Sequence, residues 1–158
     1  MRCFIQLTKG KRVELDPADY RRVSALGVRW CVNDGYAFNR AHGRMHRLLM
    51  GVTDPAVMVD HRDGDPLNNL RSNLRIATNS LNQANRQVVR GLSRFKGVCR
   101  QKRKHSKDVW IARIIVGGKN FHLGSFDEEL PAAKAYDAAA LKHFGEFART
   151  NFQLALVS

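Results

Sequence analysis

VMVDHRDGDPLNNLRSNLRIATNSLNQANRQ, residues 57–87, changes character three times along its length. It opens as a short apolar strand that stops abruptly on two polar residues, Asp60 and His61. A polar loop follows, RDGDPLNNLRSN, with a glycine, a proline and several asparagines, the residue types that favour turns. LRIA (residues 74–77) predicts a second brief strand, and Thr78 then opens a helix over NSLNQANRQ. The order strand, loop, strand, helix defines a ββα unit over about residues 57–87.

The polar residues of this unit suit phosphodiester hydrolysis. That reaction needs a deprotonated water and a cation that stabilises charge on the phosphate and the leaving oxygen. A neutral histidine takes a proton near pH 7, and a hard cation such as Mg²⁺ takes a few oxygen ligands, with water and phosphate completing its shell. Asp60 and His61 are neighbours at a strand end, so their side chains diverge: one can hold metal while the other faces water. Asn82, inside the helix, can offer an amide oxygen toward Asp60. An isolated Asp-His pair is ordinarily a surface or capping feature; the spacing and the ββα pattern argue otherwise here. An EF-hand reading of DGD fails, because placing Gly64 sixth puts Val59 first and Leu70 twelfth, and neither ligates calcium. Asn68 and Asn69 read as turn formers, and His46 as a packed or hydrogen-bonded scaffold histidine.

VDHRDGDPLNNLRSNLRIATNSLNQAN resembles the motif of HNH endonucleases of the phage and intron-encoded homing kind. The resemblance implies His61 as general base and Asp60 as first metal ligand. Asn73, twelve residues after His61, matches the middle asparagine that braces the loop. Asn82, twenty-one after His61, matches the last position, where many members carry histidine and this subgroup asparagine. A divalent cation, Mg²⁺ or Mn²⁺, is implied as cofactor, with 5′-phosphate and 3′-hydroxyl products.

Upstream, residues 1 to about 50 read as a small α+β scaffold. CFIQLTKGKRVELD predicts a hairpin turning at Lys9-Gly10, and DPADYRRVSALG a helix with Asp16 as N-cap, Pro17 as first residue and Gly27 as stop. NDG between Trp30 and Tyr36 signals a second hairpin, and MHRLLMG a short apolar helix; this stretch also resembles what precedes the motif in that subgroup.

Downstream, from Gly91 or Ser93, FKGVCRQK, VWIARIIV and KNFHLGSF read as three strands, the last two joined at Gly117-Gly118. Asp127 can cap the next helix, Pro131 is tolerated in its first turn, and Gly145 stops it. Ala133, Tyr136, Ala140 and Phe144 fall at helical spacing and face the sheet. SRFKGVCRQ, VWIARI, FHLGSFD and AAKAYDAAALKHFGEFARTNF resemble the APETALA2/ethylene-response-factor DNA-binding domain over roughly residues 93–152. The resemblance implies a contacting face of Lys96, Gln101, Arg113 and His122, with Arg100, Lys102, Arg103 and Lys119 meeting phosphates, which position rather than specify. Trp110 alternates with Ala112 and Ile114 toward the helix and so packs rather than stacks on bases. Cys99, Gln101 and Ile115 stand where plant members tend to carry arginine, so a target sequence does not carry over.

Charge agrees. The chain has 27 Lys+Arg against 14 Asp+Glu, a net +13, and between Arg94 and Lys119 nine Lys/Arg face one acid, Asp108. Such an excess favours a polyanion through counterion release. No long apolar run or basic amphipathic helix argues for a membrane, and Arg2, Lys9, Lys11 and Arg12 interrupt any signal peptide. Cys3, Cys31 and Cys99, odd in number and without CxxC spacing, argue against disulfides and zinc and read as small buried hydrophobes in a reducing compartment.

The expected fold class is α+β: a ββα-metal nuclease unit with a small N-terminal α+β scaffold (1–90), then a three-stranded antiparallel sheet backed by one helix (91–158). The expected protein is an intracellular, divalent-metal-dependent DNA endonuclease of a bacterial or phage-infected cell, acting on double-stranded DNA rather than on a small molecule. The competing expectation is a non-catalytic DNA-binding regulator whose ββα unit is scaffold.

Overall fold

The computed structural model describes residues 2–86, 92–104 and 106–152. Its contacts separate two compact units, Met1–Thr78 and Asn79–Ser158. The division expected between residues 90 and 91, and the end of the ββα segment at 87, lie outside the described residues. The helix of the ββα segment thus groups with the C-terminal unit.

In the first unit β1 (Cys3–Gln6) pairs antiparallel with β2 (Arg12–Leu15), turning through Lys9-Gly10, both at positive φ. Helix α1 (Pro17–Ser24) starts on Pro17, whose fixed φ suits a first helical turn. Asp16 has N-cap backbone geometry but makes no side-chain cap; its Oδ2 accepts from the Arg71 backbone N–H at 2.7 Å. β3 (Cys31–Asn33), β4 (Tyr36–Asn39) and β5 (Gly43–Arg44) form a sheet in that order, the first turn carried by Asp34 and Gly35 at φ 50° and 85°. Helix α2 (Met45–Met50) ends at the left-handed Gly51. Val13, Leu15, Val23, Trp30, Met45, Leu49, Val59 and Leu74 close one core, each worth about 1.5–3 kcal/mol if fully withdrawn from water. Val59 and Leu74 anchor β6 (Met58–His61) and β7 (Leu74–Ala77), which pair with Asp60 opposite Arg75 and His61 opposite Leu74.

In the second unit β8 (Val98–Gln101), β9 (Val109–Val116) and β10 (Lys119–Phe126) form an antiparallel sheet of order β10-β9-β8. Helix α4 (Glu129–Phe144) covers one face, burying Ala132, Ala133, Tyr136, Ala140 and Phe144 against Val98, Ala112 and Ile114. Trp110 packs on this side as the alternation predicts. The helix begins one residue later than expected: Glu128, not Asp127, is its N-cap, held by extended backbone without a side-chain cap. Helix α3 (Asn79–Asn85) places Leu81 and Ala84 against the core of Ile114, Tyr136, Ala140 and Phe144. The three cysteines form no disulfide and are half-buried, not fully buried, since Cys3 and Cys31 lie on short strands of small sheets. Among the described residues no helix is long and apolar enough to cross a membrane.

Candidate active site and nucleic-acid interface

The loop between β6 and β7 is fixed by asparagines and a carboxylate. Asn73 Oδ1 accepts from the Asp63 backbone N–H at 3.1 Å, while its Nδ2 donates to Asp63 Oδ1 at 2.9 Å and to the Asn68 carbonyl at 2.8 Å. Asp63 also accepts from the Asp65 backbone at 2.9 Å and from Asn68 Nδ2 at 2.6 Å. Desolvation pushes the Asp63 carboxyl up, but these donors outweigh it and hold it below the usual carboxylate range. Asn73 therefore sits where a loop brace belongs, eight per cent exposed.

The scaffold clamps the same loop from outside. Glu14 of β2 donates its N–H to the Leu67 carbonyl and accepts the Asn69 N–H, both at 2.9 Å. Arg71 makes a two-pronged ion pair with Asp19 of α1, at 2.7 and 2.9 Å. These contacts give the N-terminal segment a role its sequence does not announce: it sets where the loop residues stand.

Asp60 and His61 are both buried, at 4% and 5% exposure. Asp60 Oδ2 receives Arg75 Nε at 2.8 Å, and a second guanidinium nitrogen lies equally close. His61 Nε2 lies 2.8 Å from Asn69 Oδ1. Its ring also meets His46 edge-on, centroids 5.1 Å apart, and Tyr36 at 6.0 Å. Burial lowers the His61 pKa, opposed by the Asn69 hydrogen bond and by the charges of Asp63, Asp60 and Asp65; the ring is thereby biased to its neutral, proton-accepting form. As site residues, Asn69, Arg75, Asp63 and Tyr36 escaped the sequence reading, which makes Asn69 a turn former and Tyr36 a hairpin flank. Arg75 alone had a signal, since antiparallel pairing of β6 with β7 puts it opposite Asp60.

Asn82 stands half-buried in α3, within the C-terminal unit. Among the described residues no three His, Cys, Asp or Glu side chains gather as a metal cluster. The donor beside His61 is a hard oxygen: the Asp60 carboxylate has lone pairs enough to serve an arginine and a cation together. Few protein ligands with an oxygen-only set fit a cation whose shell is completed by water and phosphate.

On the sheet, Gln101, Arg113 and His122 lie on exposed positions of the face turned away from α4, with His122 directly opposite Arg113. Lys102 and Arg103 are exposed in the turn after β8. Arg100 pairs opposite Trp110, its guanidinium near that ring and 3.0 Å from Asp108. Lys119 opens β10, exposed. Lys96 is placed otherwise than the other predicted cations: half-buried, with Nζ on the Ala84 carbonyl at the end of α3. Burial, then the charge of Arg149, brings its pKa down to about 8, with Asp137 opposing. It lines a cavity of about 810 Å³ with Gln83, Arg86, Arg113, Ile115 and Asn120.

No protein-family model matches the chain. An uncharacterized HNH endonuclease of Acanthamoeba polyphaga mimivirus is 34% identical over 124 residues, covering 74% of this chain and 63% of that protein. Two AP2-like ethylene-responsive transcription factors of Arabidopsis thaliana are 42% identical over 77 residues and 45% over 67, covering 48% and 41% of this chain but only 15% and 11% of theirs. The chain thus spans less than two thirds of each of these relatives.

Proposed function

For a chain that is a homologue of an HNH endonuclease and similar across about half its length to APETALA2-type DNA-binding domains, we propose metal-dependent hydrolysis of DNA phosphodiester bonds, directed by the C-terminal sheet. The observation that carries this reading is His61: a buried, neutral-biased imidazole beside a buried carboxylate, on a loop locked by Asn73.

His61 takes a proton from water, and the resulting hydroxide attacks phosphorus in line with the 3′ oxygen. The P–O3′ bond breaks, leaving a 5′-phosphate, and the departing 3′ oxygen takes its proton from solvent. Asp60, held by Arg75, and Asn82 are the residues to hold Mg²⁺ or Mn²⁺, whose charge would stabilise the attacked phosphate and the leaving oxygen. Asn73 keeps the loop, and so His61, in place. Gln101, Arg113 and His122 face base edges, while Lys102, Arg103, Arg100 and Lys119 lie toward phosphates. Lys96 serves the end of α3 in place of a direct DNA contact.

The test is nicking of supercoiled plasmid with Mg²⁺, controlled by EDTA. His61→Ala should abolish cleavage and leave DNA affinity within about twofold, because the sheet that binds is untouched. Wild-type nicking by that variant would remove His61 from the mechanism. A second reading, a DNA-binding regulator with an inert ββα unit, draws on the Asp60–Arg75 pair, which compensates the buried carboxylate without any metal. Tight DNA binding with no cleavage under Mg²⁺, Mn²⁺ or other divalent ions would favour it.

A further inference from the structure

Asn69 is the most deeply enclosed polar residue of the first unit, with no exposed surface. Its backbone N–H donates to the Glu14 carbonyl at 2.9 Å, so the loop is held there by the main chain while the side chain points at His61. The carboxamide oxygen, Oδ1, meets His61 Nε2 at 2.8 Å. Its Nδ2 is buried and finds no hydrogen-bond partner among the described residues. A buried donor left unpaired destabilises a fold, and an apolar residue of the same shape would avoid it. Turn propensity does not explain an asparagine here; its oxygen does.

An amide oxygen can only accept, so the imidazole must donate from Nε2. A neutral imidazole carries one proton; with that proton on Nε2, Nδ1 is the basic nitrogen. His46, itself buried, packs edge-on against the His61 ring at 5.1 Å, and Tyr36 stands 5.1 Å from His46, so rotation of the His61 ring would have to displace packed neighbours.

We infer that Asn69 is a positioning residue for His61: it holds the imidazole proton on Nε2 and so assigns Nδ1 to the water, with His46 and Tyr36 fixing the ring plane. The inference rests on the reading of His61 as the base, but its first readout does not depend on cleavage. The opposite orientation of the amide, with Nδ2 toward the ring, would put the proton on Nδ1 and block that nitrogen.

Full-length protein with isotope-labelled histidine reports the tautomer directly in a long-range proton–nitrogen correlation spectrum, the His61 signals assigned by their loss in His61→Ala. The expected wild-type result is a single Nε2–H tautomer. Asn69→Asp keeps the acceptor and should keep that tautomer. Asn69→Leu removes it and should give a mixed or inverted tautomer, with the cleavage rate at saturating DNA down by about 10–100-fold and KM for DNA unchanged. A wild-type Nδ1–H tautomer overturns the inference, even if Asn69→Leu does not fold. So does a folded Asn69→Leu that retains both tautomer and rate. If His61→Ala cleaves normally while Asn69 still sets the tautomer, the nuclease mechanism fails and the hydrogen-bond assignment stands.

Discussion

His46 shows how one buried side chain couples the site to stability. Burial first, then unfavourable electrostatic interaction with His61, Arg44 and Arg47, pushes its pKa from 6.5 down to about 3. The folded state therefore keeps His46 neutral where the unfolded chain protonates it. Between about pH 6.5 and 3 the unfolded state binds the extra proton, so stability is full above that window and falls as pH drops through it. The slope is at most about 1.4 kcal/mol per pH unit for one proton. His46→Phe keeps an aromatic ring of similar size and should flatten the acid limb of stability in urea titrations from pH 7 to 4; superimposable profiles would refute the assignment. The lowered His61 pKa has a parallel consequence for rate. Its base form grows as pH rises, so the acid limb of cleavage should lie below pH 6.5, with a plateau at neutral pH. Only part of this was readable from sequence. His61 and Asn73 stood out by spacing, whereas Asn69 looked like one of several loop asparagines. Its contact with a ring eight residues back depends on how the loop folds over.

At the scale of elements, the C-terminal sheet and helix are joined by two features that composition does not reveal. Gly97 has φ 74°, and a Cβ there would stand 1.9 Å from the Tyr136 ring. Gly97→Ala should cost about 2–4 kcal/mol, from overpacking and a left-handed backbone together, read as a fall in the urea midpoint. A loss under about 0.5 kcal/mol would mean that Tyr136 moves aside freely. Asp137, buried on α4, accepts from the Asn151 backbone N–H at 2.8 Å, from Asn151 Nδ2 at 3.0 Å and from the Phe152 N–H at 2.9 Å, while Asn151 Oδ1 accepts the Lys96 N–H at 2.6 Å. Asp137 thereby holds Asn151 and Phe152 against α4, and Asn151 ties that segment to Lys96 just before β8. Helix α3 is the element whose allegiance the sequence concealed. Its polar face carries Asn82, in the segment that resembles the HNH motif, yet Leu81 and Ala84 pack in the C-terminal core, and Lys96 Nζ and the Arg149 N–H both meet the Ala84 carbonyl. A cation at a helix C-terminus is favoured by the helix dipole.

For the molecule as a whole, charge and division of labour lead to a binding prediction. The excess of 27 basic over 14 acidic side chains favours DNA without choosing a sequence. Lys102 and Arg103 are exposed and lie in the turn organised by Asp108, which also ion-pairs Arg100 and accepts the Arg103 backbone N–H. Neutralising Lys102 and Arg103 together should weaken affinity for all DNA sequences alike and flatten the log–log salt dependence by about two units. An unchanged slope would remove this turn from the interface. Arg113→Ala, on the exposed face of β9, should instead alter sequence preference, with the plasmid-nicking chemistry intact.

The sequence by itself determined the α+β class, most of the order of elements, two segments with separate family resemblances and the spacing of Asp60, His61, Asn73 and Asn82, because period, turn chemistry and motif spacing are local properties of a chain. Tertiary structure alone decided what surrounds the histidine: Asn69 on its Nε2, His46 at its edge, and a loop held by Glu14 and Asp19 across gaps of more than fifty residues. It also decided that α3 packs with the C-terminal sheet and helix and that Lys96 turns inward. Those outcomes come from burial and hydrogen-bond satisfaction, which reward whichever partners the fold brings together, however distant in sequence.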